Sequence, residues 1–435
     1  MSNASPAESR PVRARLVTAV VVVVASLVTV WRWDGPPPRA AEAPLGEFSS
    51  ARAYATLARV LGESRPHPRG SVANREVRRR IELELQTLGL EPRVDRTSAW
   101  RGGRGAEVEN VVVTIRGRYP TNDALVLVAH YDSVPTAPGA SDDGAGVATL
   151  LEVARALVAS PPLEHDVVVL FDDGEEAGLL GAQAFVVNAE ESSRAGAVVN
   201  VEARGTHGPS LLFETKHLGW TGVRAIGALE RPATSSLFSA VYERMPNDTD
   251  LTVFGEAGIP GYNFAFIRGA SHYHRPSDDL EHLSRASLQH HGDNVLALTR
   301  ELAGRPEPLA ALRAGPRAVW FDLFACVTIA WPEPASFLFA FASTALLAAA
   351  RRRRARGVDG WLVAAGAGWL LALALPSAAH LALAPAFVAS LGAALSTVPH
   401  RLAAGVGAGL RLLACGLAAA LLSEVGLGLR DAFLG

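Results

Sequence analysis

The chain has 435 residues, which is enough for one large domain and a second region of different character. Its 41 basic and 43 acidic side chains nearly cancel, so no overall positive field argues for a nucleic-acid partner. Both of its cysteines, Cys326 and Cys415, lie in apolar stretches near the C terminus, which argues against a disulfide framework and against a cysteine-based metal site.

The N-terminal region carries an apolar run at residues 14–31 that is preceded by arginines. A run of this length is typical either of a signal-peptide core or of a short membrane helix. No small-residue cleavage site directly follows the apolar core, so we expect an uncleaved anchor within residues 1–33. Three consecutive prolines then indicate an extended linker over residues 34–49.

Residues 50–315 have the alternating pattern of a folded domain. Periodicity and breaker residues predict helices at 73–90 and 144–160 and a helix ending near 188, with strands at 110–117, 124–132, 166–173 and 197–205. The strands are nearly continuous runs of Val and Leu, a pattern typical of strands that are buried on both faces. The sequence therefore predicts an α/β sandwich whose central strands are buried on both faces.

Residues 335–435 are much more apolar than residues 50–315. Segments at 335–350, 360–375, 379–395 and 402–422 predict three to four membrane helices, with a buried helical bundle as the alternative. Four arginines follow the first segment and are expected on the cytoplasmic side, which would place residues 35–330 on the outer side. We expect residues 316–334 to form a juxtamembrane segment and residues 335–435 a multi-span membrane region.

Metal-binding side chains follow the predicted strands. His130 and Asp132 lie two residues apart on one strand face, where a carboxylate can hold the second nitrogen of a metal-bound imidazole. Asp142 and Asp143 then open a helix at a glycine-rich turn, a position that more often caps a helix than binds a metal.

Further carboxylates and histidines come later in the chain. Glu175 and Glu176 follow one strand, Glu202 ends another, and His272 and His274 lie in the motif SHYHRPSDDLEHL. Ligands in an open α/β sheet gather at the carboxyl ends of its strands. Mixed histidine and carboxylate ligands without cysteine favour zinc in a catalytic site.

Four motifs in this order carry a resemblance: AHYDSVPTAPGASDDGAG, FDDGEEAGLLGAQAF, NVEARG and YHRPSDDLEHL. Over residues 50–300 the chain resembles the M28 family of zinc aminopeptidases. The resemblance implies two zinc ions on a three-layer α/β/α exopeptidase sandwich with a mixed, mostly parallel sheet. The later motifs PNDTDLTVF, GIPGYNFAFI and AVWFDLFACVTIAW are similar to the membrane-embedded branch of that family, which includes vacuolar membrane proteases and endoplasmic-reticulum metallopeptidases.

The resemblance implies a role for each matching position. His130 and Glu202 would bind one zinc, Glu176 and His274 the other, and Asp142 would bridge them. Glu175 would be the general base, Asp132 would support His130, and the Tyr273 hydroxyl would stabilise the tetrahedral intermediate. Zinc on Glu176 would also offset its repulsion by the adjacent Glu175.

Other polar residues near these motifs have less definite roles. His272 is a weaker ligand candidate than His274, and Asp172 and Asp173 are expected to orient their loop or to face solvent. Asp248 and Asp250 would either support the site or contact substrate, and Arg204 would form a structural ion pair or meet a substrate carboxylate or carbonyl.

The sequence thus favours an anchored two-zinc aminopeptidase that acts on peptides and contacts the lipid bilayer. We expect it in a bacterial inner membrane, with the peptidase domain on the extracytoplasmic side. Two alternatives stay open: a single-zinc enzyme related to glutaminyl cyclases, and a non-catalytic module such as those of some receptors. The complete set of ligand positions favours the two-zinc hydrolase over both.

Overall fold

The computed structural model describes residues 35–119, 123–323 and 325–336, together with Leu27 and Leu338. The chain divides into two compact units. The described residues of the larger unit fall within Trp33–Thr234 and Val241–Gly315, and those of the smaller unit fall mainly within Ser235–Ala240 and Pro316–Leu429.

The larger unit contains a seven-stranded sheet. Its strands are β1 (Arg93–Arg101), β2 (Arg104–Ile115), β3 (Ala124–His130), β4 (Asp166–Asp172), β5 (Ala195–Ala203), β6 (Leu211–Lys216) and β7 (Gly261–Phe266). They lie in the order β1-β2-β4-β3-β5-β7-β6. The central strands β4, β3, β5 and β7 are parallel, whereas β1, β2 and β6 pair antiparallel at the edges. The predicted mixed and mostly parallel α/β sheet is therefore confirmed.

The helices connect these strands and pack on them. They are α1 (Ser50–Leu61), α2 (Val72–Thr87), α3 (Gly144–Val158), α4 (Leu180–Asn188), α5 (Trp220–Ala225), α6 (Ser236–Tyr242), α7 (Asp250–Glu256) and α8 (Arg285–Ala303). Helices α1, α3 and α8 pack against one another, while α4 packs against β1, β2 and α7.

The burial of the central strands explains their composition. All seven residues of β3 and all seven of β4 are buried. Their Val and Leu side chains form part of the core with Phe185 and Phe254 from the neighbouring helices. Fully buried parallel strands need apolar residues on both faces. Successive side chains along these strands therefore do not alternate between polar and apolar.

Several elements were not predicted from the sequence: strands β1, β6 and β7 and helices α1, α5, α6, α7 and α8. Strand β1 was not predicted, because its sequence RVDRTSAWR mixes charged and apolar residues and most of it is partly exposed. The predicted juxtamembrane segment contains a hairpin of β8 (Ala318–Leu323) and β9 (Val327–Pro332), which pair antiparallel in the smaller unit.

Among the residues that the structure describes, no helix is both long enough and apolar enough to cross a bilayer. The predicted anchor at 14–31 and the predicted spans from 335 onward lie almost entirely outside those residues.

Close packing of α8 against the N-terminal segment gives a stability prediction. A Cβ atom on Gly292 would lie 2.2 Å from two ring carbons of Phe48, a fully buried side chain. We expect Gly292→Ala to lower the free energy of unfolding by about 1–3 kcal/mol, because overpacking displaces the ring. Urea unfolding measures this, with Gly227→Ala as the control, since a Cβ there meets nothing within 4 Å. An equal loss in both variants would contradict the packing argument.

Candidate metal centre

Two groups of three metal-binding side chains meet in the larger unit. One group is His130, Asp142 and Glu202, and the other is Asp142, Glu176 and His274. Within each group the ligand atoms lie within 4.8 Å of one another. Asp142 belongs to both groups, and the structure brings together all five ligands that the resemblance implied. We call these two groups the first triad and the second triad.

The sheet topology explains why distant sequence positions converge. His130 ends β3, Glu176 follows β4, and Glu202 is the penultimate residue of β5. Because β4, β3 and β5 are adjacent and parallel, their carboxyl ends lie at the same edge of the sheet.

The first triad is almost completely buried. His130 Nε2 lies 3.3 Å from Asp142 Oδ1 and 3.9 Å from Glu202 Oε2. The opposite ring nitrogen, Nδ1, lies 3.0 Å from the main-chain oxygen of Asp132, so a hydrogen on Nδ1 is donated to that carbonyl. This bond leaves the Nε2 lone pair directed toward the carboxylates, as a metal ligand requires.

Asp132 contacts His130 through its carboxylate, as expected, and also through its main-chain carbonyl. Its carboxylate Oδ1 lies 3.5 Å from His130 Nδ1 and accepts a hydrogen bond from the main-chain N–H of Glu175 at 3.0 Å. The Asp132 carbonyl therefore orients His130, while its side chain fixes the backbone that carries Glu175.

The second triad is more open to solvent. His274 Nε2 lies 3.1 Å from Asp142 Oδ2 and 3.0 Å from Glu176 Oε1, and the His274 side chain is 35% exposed. The backbone of His274 has a φ of 58°, which is uncommon for a residue other than glycine and is typical of functional sites. The Thr136 hydroxyl donates to the His274 carbonyl at 2.9 Å.

The second triad has the donor set that zinc requires. Asp142 Oδ2, Glu176 Oε1 and His274 Nε2 are buried atoms, and none of them has a hydrogen bond of acceptable geometry, although they lie about 3 Å apart. Buried polar atoms normally have partners, and atoms that face one another without bonding indicate a common absent partner. One nitrogen and two oxygens leave an open position, as catalytic zinc sites do.

The adjacent residues Asp142 and Asp143 have separate roles. Asp143 Oδ1 accepts from the Gly146 N–H at 3.1 Å and caps α3, whereas Asp142 contributes one oxygen to each triad. Asp143 is therefore the helix cap, and Asp142 is the candidate metal ligand.

Asp278 holds the loop that carries Asp142, a role that the sequence did not indicate. Its carboxylate accepts from the Ser141 N–H at 2.8 Å and from the Asp142 N–H at 3.2 Å, and the side chain is buried. In the sequence, the position of Asp278 in the RPSDD motif, four residues after His274, was the one indication that it lies near the metal centre.

This contact predicts a loss of metal affinity in an Asp278→Ala variant. Freeing the Asp142 backbone removes the orientation of a shared ligand, so we expect zinc affinity to fall by about 10- to 100-fold. Competition with a chromophoric chelator measures the affinity. Asp279→Ala is the matched control, since Asp279 binds the nearby His282 and contacts neither triad. Unchanged zinc affinity in Asp278→Ala would refute this role.

Burial and mutual repulsion shift the ionisation of the carboxylates. Burial raises the pKa of Glu202 to about 8, and only part of this rise is offset by His130. Burial also raises the pKa of Glu175 well above its ordinary range, with further increases from Glu202 and Glu176. Burial lowers the pKa of His274, but the close carboxylates of Asp142 and Glu176 outweigh it and raise that pKa to about 9. The raised pKa values of Glu175 and Glu202 reflect acidic side chains buried close together. A divalent cation would neutralise the negative charge of these side chains.

Tyr273 lies beside the second triad. Its ring stacks on the His274 imidazole with a centroid separation of 3.8 Å and an interplanar angle of 19°. Burial, together with Asp142 and Glu176, raises the pKa of the hydroxyl above its ordinary value. Tyr273 therefore keeps its proton and can act as a hydrogen-bond donor.

The remaining polar candidates lie outside both triads. His272 Nδ1 contacts the Ser277 hydroxyl at 2.9 Å, and its ring packs against His282. Asp172 and Asp173 are both buried, so the alternative that they face solvent is wrong. Asp173 accepts from Asn74 Nδ2 at 3.1 Å and from the Glu109 N–H at 3.2 Å, which ties the loop to its neighbours.

The two aspartates that flank the start of α7 also differ. Asp250 has no exposed surface and therefore cannot contact substrate in this conformation. Asp248 is exposed and accepts from the Thr252 hydroxyl at 3.2 Å.

Two related proteins are similar to part of this chain. Endoplasmic reticulum metallopeptidase 1 of Mus musculus is 35% identical over 234 residues, which are 52% of this chain and 26% of that protein. The vacuolar membrane protease of Eremothecium gossypii is 28% identical over 348 residues, 75% of this chain and 34% of that protein. The chain thus spans about a third or less of the length of these relatives.

Solved structures with similar folds include two enzymes. The zinc aminopeptidase BSAP from Bacillus subtilis has a TM-score of 0.47 at 17% identity, and the match covers 62% of this chain and 98% of that one. Glutaminyl cyclase from Porphyromonas gingivalis has a TM-score of 0.45 at 20% identity, with 58% of this chain and 98% of that one covered.

The family match coincides with the metal centre. Residues 110–299 match the model of Peptidase family M28, and this range includes both triads and Glu175. The family resemblance that the motifs carry therefore agrees with the family model over residues 110–299, the part of the chain that holds both triads.

Proposed function

We propose that this protein is a membrane-anchored aminopeptidase that binds two zinc ions per chain and releases N-terminal residues from peptides. The sharing of Asp142 by two complete triads is the observation that carries this proposal. A bridging carboxylate with a separate histidine and glutamate on each side suits a pair of metal ions better than a single one.

The proposed roles of the residues follow from their positions. Bound zinc would polarise the scissile carbonyl and lower the pKa of a nearby water. Glu175 belongs to neither triad, although it adjoins Glu176, so its carboxylate is free to accept a proton from the attacking water and pass it to the leaving amine. Asp132 keeps Glu175 in position through the bond to its main-chain N–H.

Tyr273 is proposed to stabilise the oxyanion. A protonated hydroxyl next to a metal-binding histidine can donate to the oxygen that becomes negative as the carbonyl is attacked.

The wider architecture is part of the same proposal. We propose that helices cover both faces of the sheet, as in α/β/α zinc exopeptidases. The predicted N-terminal anchor and C-terminal spans would hold the domain at a bilayer, on the extracytoplasmic side of a bacterial inner membrane. The relative in E. gossypii is named a vacuolar membrane protease, which agrees with a membrane location.

Metal content and activity measured together test the proposal. The purified full-length chain in detergent should contain two zinc ions and cleave aminoacyl-naphthylamides, and a chelator should remove both the zinc and the activity. N-acetylated substrates serve as the control, because an aminopeptidase requires a free terminal amine. One zinc per chain with cyclisation of Gln-peptides would overturn the proposal in favour of a glutaminyl cyclase. Full zinc loading without turnover of either substrate class would indicate a non-catalytic module.

A further inference from the structure

Arg204 lies at the edge of the metal centre and has no role in the mechanism above. It follows the last residue of β5 and comes two residues after Glu202. Its main-chain N–H donates to the Phe266 carbonyl at 3.1 Å, which fixes its backbone beside β7. The residue itself is exposed. A rigid backbone thus presents a long cationic side chain to solvent beside a metal ligand.

The guanidinium of Arg204 has no carboxylate partner among the described residues. Neither an ion pair nor a side-chain hydrogen bond joins it to another group there, and its one polar contact is with an aromatic face. The guanidinium carbon lies 5.4 Å from the centroid of the Tyr273 ring. A cation–π contact of this kind positions the charge without neutralising it. The structural ion pair that the sequence allowed for Arg204 is therefore absent from this part of the chain.

The Tyr273 ring links this charge to the metal centre. The ring stacks on His274 at 3.8 Å between centroids, so the guanidinium carbon lies no farther from the imidazole than this distance and the 5.4 Å contact combined. Consecutive Cα atoms of a peptide are about 3.8 Å apart. We therefore expect the Arg204 side chain to reach the residue after the scissile bond when the scissile carbonyl of a peptide lies at the two triads.

We infer that Arg204 binds a carboxylate on the residue after the scissile bond, and that the enzyme therefore prefers peptides with a negative charge at that position. This inference rests on the proposed peptidase function. The carboxylate has two possible sources, the free C terminus of a dipeptide or an acidic side chain in a longer peptide. Both offer the two coplanar oxygens that a guanidinium can bind in bidentate fashion.

Two pairs of substrates test the inference with the zinc-loaded, full-length enzyme. Leu-Gly is compared with Leu-Gly-amide, which differ at the C-terminal carboxylate, and Leu-Glu-amide with Leu-Gln-amide, which differ at the side chain. We expect kcat/KM to be about tenfold higher for the charged member of at least one pair. Arg204→Gln should bring that ratio close to one, and Arg204→Lys should keep part of it. Because each ratio is taken within one enzyme preparation, partial loss of folded protein cancels.

Arg275→Gln is the matched control. Arg275 is also exposed and adjoins His274, but it has no ring contact toward the centre. An equal fall in the ratio for this variant would show a diffuse charge effect and overturn the assignment to Arg204.

A wild-type ratio of one for both pairs, with all four peptides cleaved, would overturn the inference and leave the peptidase function intact. Failure to cleave any of the four would count against both. The pair that responds identifies the source of the carboxylate.

Discussion

Glu175→Gln is expected to lower kcat for aminoacyl-naphthylamides by about 10²- to 10⁴-fold, the contribution that a positioned general base makes. The amide retains the shape of the side chain but cannot accept a proton. Glu175 belongs to neither triad, so zinc content should stay at the wild-type value. Stopped assays of turnover together with elemental analysis of the same sample measure both quantities.

Glu176→Gln separates the two adjacent glutamates. Glu176 Oε1 is one of the three converging atoms of the second triad, so this substitution should reduce zinc content as well as turnover. Added zinc should restore part of the activity of Glu176→Gln and none of that of Glu175→Gln. Full activity in Glu175→Gln would show that another group accepts the proton.

Asp142→Asn is expected to remove zinc from both positions at once. Asp142 Oδ1 faces His130 and Asp142 Oδ2 faces His274, and an amide offers one neutral oxygen in place of two charged ones. We expect zinc content to fall from two ions toward none, with activity below detection. Isothermal titration with zinc after chelation measures both the number of sites and their affinities.

Single-triad variants provide the comparison for Asp142→Asn. Glu202→Gln weakens only the first triad and Glu176→Gln only the second, so each should keep close to one zinc ion per chain. If Asp142→Asn also kept one ion, the two triads would not share this ligand, and the bridging role would be refuted.

The sequence predicted strands β2, β3, β4 and β5, and the polar residues His130, Glu176 and Glu202 at or after strand ends, for a common physical reason. The ligand roles themselves, including those of Asp142 and His274, came from the family motifs. Buried parallel strands require unbroken apolar runs, and the polar residues that end those runs must lie at one edge of the sheet. Strand β1 lacks such a run, because only part of it is buried, and it was therefore missed.

Adjacent acidic residues mark the limit of inference from position alone. The spacing of Asp142 and Asp143 could not show which side chain turns toward the helix and which toward the triads, since this depends on the local backbone. Glu175 and Glu176 present the same ambiguity, and the family motif rather than adjacency assigned their roles. Asp278 was missed because it acts on backbone N–H groups from a distant part of the sequence, a contact that only the tertiary structure brings about.

The contact between Asp278 and Asp142 joins two halves of the centre that are far apart in sequence. The loop that supplies His274 to the second triad also holds the residue that serves both triads. Transplanting this centre into another α/β scaffold would therefore require both loops to be moved as one unit. A graft of the five ligands alone would omit the support of the residue that both ions share.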